Sequence, residues 1–177
     1  MSEKKLVVDH LKLQYDGLFE STALYQYIDE WLREKGFDKR EVRNREHVSP
    51  QGKFVEIEMQ PWKKITDYAK HIIRIEVRMT KLKDVEVEQE KHKIRMQKGK
   101  VVVTIDAFLE TDYEHRWEQR PLYFFLRTIF DKFIYRSYTS RFEDLLVESV
   151  NQLHTGIKSF LNMYKHTAYD TKPVYTH

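Results

Sequence analysis

LYFFLRTIFDKFIYRSYTSRFEDLLVESVNQLHTGIKSFLNMYK, residues 122–165, is the stretch whose reading decides the fold. Leu122, Phe125, Leu126, Ile129, Phe130, Phe133 and Ile134 recur at the spacing that gathers side chains onto one helix face. After a short break, Phe142, Leu145, Leu146, Ser149, Val150, Leu153, Ile157, Leu161 and Tyr164 repeat the pattern. Ser140 with Glu143 three positions on matches a capping box. The second helix is therefore expected to begin at Ser140 and to run beyond about twenty residues, roughly 30 Å. Pro121 suits the first turn of the first one, where its missing N–H costs nothing. Two such faces need an apolar partner surface.

The upstream segments supply one, because their period drops to two. In Lys5–Tyr15, Val7, Leu11, Leu13 and Tyr15 share a face, and Asp16-Gly17 is expected to turn the chain. A helix is predicted over Thr22–Lys35, capped by Ser21, striped by Leu24, Ile28, Trp31 and Leu32, and stopped by Gly36. Asp38–Val48 is polar on both faces, as suits an edge strand whose charges discourage edge-to-edge pairing. Ser49-Pro50-Gln51-Gly52 carries the residues of a type I turn. In the strand that follows, Pro61 removes a donor and implies a bulge or an edge.

Ile73, Ile75, Val77 and Met79 alternate with Arg74, Glu76, Arg78 and Thr80. Charge matching proposes that Asp84–Glu90 folds back on this strand through a loop at Lys81–Lys83, placing Arg78 opposite Glu86 and Arg74 opposite Glu90. Lys91–Lys100 is then a basic hairpin region. The last strand, Lys100–Tyr113, points Val101, Val103, Ile105, Ala107 and Leu109 inward, with Val102 and Phe108 on the other side.

Strands joined by short turns make an antiparallel sheet of about six strands. One helix after the first strand and two C-terminal helices on one face make the fold α+β. In element order this layout resembles the helix-grip, or START-like, folds, a resemblance that implies a ligand space between the sheet and the long last helix. Residues 1–165 are expected to form one domain, and the aperiodic 166–177 a flexible tail.

Composition narrows the function classes. A net charge of +3 is too small to imply a polyanionic partner unless a local patch forms. The lack of cysteine removes disulfides and thiolate metal sites, and fits a reducing, cytoplasmic setting. Met1–Lys5 leads into only a short apolar run, so no signal peptide is expected, and no apolar run approaches the roughly 20 residues that span a bilayer. The eight histidines show no ligand spacing, and five scattered glycines form no phosphate loop. Glu110, Asp112, Glu114 and His115 at a strand end are the ordinary solvated kind. No catalytic, cofactor-binding or metal-ligating residue emerges.

The leading expectation is a non-catalytic binding module for an apolar or lipid-like molecule. Ile75, Ile105, Phe125 and Ile129 would line the space, with Ser149 and Gly156 making room. The alternative is a macromolecular interaction protein. It would use the basic Lys91, Lys93, Arg95, Lys98 and Lys100 toward RNA, or Phe124 and Tyr135, opposite the apolar stripe, toward a second copy of the chain. An unrecognised enzyme stands third.

Overall fold

The computed structural model describes residues 3–89, 92–111 and 135–170. Its strands are β1 (Glu3–Phe19), β2 (Glu41–Ser49), β3 (Gly52–Met59), β4 (Trp62–Lys64), β5 (Ala69–Gln89) and β6 (His92–Thr111). Its helices are α1 (Ser21–Glu34) and α2 (Tyr135–Asp170). All strand pairs are antiparallel, in the order β1-β6-β5-β3-β2, and β4 pairs with β5 beside β3. The fold is α+β, as the alternation and the C-terminal amphipathic pattern imply.

Both helices pack on one face of the sheet. Ile73, Ile75, Val77 and Met79 of β5 and Val101, Val103, Ile105 and Ala107 of β6 are buried. They form one core with Leu24, Ile28 and Leu32 of α1 and Leu146, Val150, Leu153 and Ile157 of α2. At about 25 cal/mol per Å² of apolar area, this face supplies most of the drive to fold. A smaller cluster of Ala69, Leu109 and Phe142 extends the contact to the start of α2.

Gly36 ends α1 at φ 72°, and the Phe37 N–H donates to the Leu32 carbonyl. Ser21 is the first helical residue rather than the cap; its N–H donates to Oε1 of Gln97 at 3.0 Å. The polar β2 lies at the sheet edge. Ser49 pairs with Gly52, closing a two-residue loop over Pro50-Gln51. Pro61 interrupts β3, its carbonyl accepting from the Ile73 N–H at 2.9 Å, and the strand resumes as β4.

Four expectations need correction. Asp16-Gly17 is not a turn: β1 continues to Phe19, with Asp16 opposite Lys100. Lys81–Lys83 is not a loop either, since β5 runs unbroken for 21 residues and pairs along its whole length with β6. A bulge at Lys81 (φ 56°) makes the segment look like a turn, because the extra residue shifts the alternation out of phase. Glu86 therefore faces Arg95, and Arg78 stands between Val102 and Glu56. Finally, helix 135–170 passes straight through Ser140, so that residue is interior to α2, and α2 continues past Lys165 into the expected tail. The predicted helix over 122–134 lies outside the described residues.

Candidate functional site

The sheet face opposite the helices is built from rows of cross-strand neighbours, and one row differs from the rest. Trp62 pairs with Ile72, Ile72 with Phe108, and Phe108 with Leu6, so four apolar side chains from β4, β5, β6 and β1 share the outward face. Leu6 is 45% exposed, and Trp62, Ile72 and Phe108 are half-buried. Pro61 makes this possible by ending β3 and letting β4 restart with Trp62.

The next row toward the sheet end is Lys64, Lys70, Glu110 and Lys4. Three cations against Glu110 in the row and Asp67 beside it leave a small local excess of positive charge. Lys70 lies 3.6 Å from Glu110 and 4.7 Å over the Trp62 ring, Lys4 sits 4.3 Å over the Phe108 ring, and Lys64 pairs with Asp67 at 2.9 Å. Lys70 and Lys4 thus rest against the aromatic faces.

On the row's other side lies an ion-pair network. Asp106 of β6 is buried, and its Oδ2 accepts from Nε of Arg74 on β5 at 2.9 Å. Its Oδ1 accepts the His10 backbone N–H at 2.7 Å. The His10 ring hydrogen-bonds Asp9 and lies 3.3 Å from Asp106 Oδ1. Asp9, His10 and Asp106 bring three metal-capable atoms within 4.8 Å of one another, but the Arg74 guanidinium already neutralises the buried carboxylate. This makes the group an ion-pair network. Further along the face charges alternate and pair, as Arg43 does with Glu56 and Glu58.

The residues singled out from sequence are dispersed. Ile75 and Ile105 are fully buried in the core against α2. Ser149 donates to the Leu145 carbonyl of its own helix at 2.8 Å. Gly156 faces Tyr27 of α1, whose hydroxyl would collide with any Cβ there. An open depression of about 750 Å³ on α2 is lined by Asp144, Glu148, Asn151, Thr155 and Ser159 among others, on the side turned away from the core stripe.

The basic hairpin is divided by the pleat. Arg95 stands on one face and Lys98 and Lys100 on the other, with Arg95 opposite Glu86 and Lys100 opposite Asp16, while Lys93 is placed only by its register opposite Glu88. Tyr135 begins α2. Lys91, Phe124, Phe125, Ile129, Asp112, Glu114 and His115 lie outside the described residues.

Sequence reasoning missed Trp62, Leu6, Lys4, Lys64, Lys70 and the Asp9–His10–Asp106 contact. The available signal was Phe108, an aromatic out of phase with its strand's buried face. No protein-family model, curated protein or solved structure matches the chain. Among the described residues no helix is long and apolar enough to cross a membrane.

Proposed function

We propose that the protein is a non-catalytic, cytoplasmic binding module that takes single-stranded nucleic acid across the outward face of its sheet. The observation that carries this reading is the Trp62–Ile72–Phe108–Leu6 row, bordered by Lys4, Lys64 and Lys70. A base stacked on an exposed aromatic gains about 1–3 kcal/mol whatever its identity. Trp62 and Phe108 are two strands apart, roughly 10 Å, far enough to serve separate bases. The lysines one row away meet the phosphates, exchanging ring and carboxylate partners for stronger anions. Grooves of duplex nucleic acid do not expose base faces to a sheet, so single strands are preferred.

An apolar ligand between the sheet and α2, the use a helix-grip layout implies, would require Ile75 and Ile105 to part from Leu153 and Ile157 in a continuous core. A rise in melting temperature with fatty acids or aromatic ligands would favour that reading instead.

The test is fluorescence anisotropy with a labelled single strand of about 12 nucleotides. Affinity should fall with salt, log K against log[salt] having a slope of about −2 for three phosphate contacts. Trp62→Ala and Phe108→Ala should each weaken binding about 5- to 150-fold, and a duplex should bind less well. Binding indifferent to both substitutions, or absent at low salt, would remove the proposal.

A further inference from the structure

The Asp9–His10 step is where β1 departs most from a regular strand. Its register with β6 slips between Leu6 and Val8 and again between Val8 and Leu11, and His10 adopts φ 50°. The ladder is interrupted there, and Asp106 takes over. One carboxylate holds the β1 backbone through the His10 N–H and β5 through Arg74. The imidazole folds back toward the same oxygen. The charged groups facing it are Asp9 from β1, Asp106 from β6 and Arg74 from β5, with Glu58 and Glu76 acting on Arg74 from behind.

We propose that Asp9, His10, Asp106 and Arg74 form a pH-sensitive latch, in which the His10 imidazolium locks the bulge and fixes residues 3–8 of β1, with Lys4 and Leu6, against β6. With the ring cationic, two carboxylates meet two cations. A neutral ring leaves Arg74 as the one cation beside two carboxylates, with Asp106 keeping only the His10 backbone N–H on β1, and the net negative charge at the bulge loosens its closure. The Asp9 hydrogen bond, then the Asp106 charge, hold the ring's pKa above the ordinary imidazole value. The latch is therefore fully closed below about pH 6.5 and opens as pH rises through that elevated pKa. Because residues 3–8 carry one end of the aromatic row and one of its lysines, opening would alter the outward face whatever it binds.

The test uses the free protein, so it does not depend on the nucleic-acid reading. In an NMR titration, the His10 ring and the Lys4–Val8 amides should share one inflection above about pH 6.5. His10→Gln should abolish the amide inflection, and Asp9→Asn should move it to lower pH. Asp9→Asn, a change of one exposed side chain, keeps the test available if His10→Gln folds poorly. A His10 ring titrating at or below the ordinary value, or β1 amides that ignore it, would overturn the latch.

Discussion

Arg74 donates from both Nε and Nη2 to one oxygen of Asp106, at 2.9 and 2.5 Å, across the β5–β6 pair whose register sets the two residues opposite each other. The two are unequal: the Asp106 side chain is 3% exposed and that of Arg74 is 38% exposed. Removing Arg74 strands a buried anion, whereas removing Asp106 leaves a cation that can reach water. Arg74→Ala should therefore cost about 2–4 kcal/mol and Asp106→Ala about 1–3, measured by urea unfolding at neutral pH. Equal and small losses would show that water screens the pair.

His71 gives the fold a pH dependence of opposite sign to the latch. It is buried between β5 and the start of α2, with Nε2 2.9 Å from the Phe142 carbonyl. A carbonyl only accepts, so Nε2 carries a proton. Burial, reinforced by the charge of Lys63, lowers its pKa to about 4. The unfolded chain binds a proton that the folded one refuses, so stability should fall as pH drops from about 6.5 to 4, by on the order of 2 kcal/mol. His71→Leu should flatten that part of the stability–pH curve. An unchanged curve would place the acid sensitivity elsewhere.

These two sites differ in how legible they were. The buried run Ala69–Met79, which includes His71, repeats with an unbroken period of two, and so does Val101–Leu109; each commits one face to the core, so strand and facing were readable. The pairing of Asp84–Glu90 was not. Charge matching is degenerate, and Glu86 finds Arg95 as readily as it would find Arg78. Leu6, Trp62, Ile72 and Phe108 come from four strands and meet only once register is known. The Asp9–Asp106 contact depends on a bulge, which no alternation pattern announces.

Gly156 marks where α2 passes closest to α1. A methyl there would meet the Tyr27 hydroxyl, and the Tyr27 ring stacks on Phe160 at 5.2 Å. Alanine improves a helix interior by roughly 0.5–1 kcal/mol, but the hydroxyl must first move aside. Gly156→Ala alone should change stability little, and Gly156→Ala in a Tyr27→Phe background should gain most of that helical benefit. Thermal unfolding of the four combinations measures the coupling. Additive effects would mean that the two helices are further apart than described.

Gly99 offers a test of the continuous β5–β6 pair against a turn at Lys81–Lys83. At the bulge, Lys81 and Leu82 together stand opposite Gly99. A Cβ on Gly99 would lie 2.8 Å from Leu82 Cδ2 and 2.9 Å from the Thr80 carbonyl oxygen. The Leu82 methyl can rotate away, but the Thr80 carbonyl belongs to strand backbone and cannot move without distorting the sheet. Gly99→Ala should therefore destabilise by about 1–3 kcal/mol, the range of an overpacked core site. Leu82→Ala in the same chain should relieve the contact with Cδ2 but not the one with Thr80. Were Lys81–Lys83 a turn, Gly99 would not face the bulge and the substitution would be close to neutral. Urea denaturation of the single and double variants separates the two arrangements. Contacts between the Val85 and Met96 backbones, expected only in the continuous pair, would give the same answer by NMR.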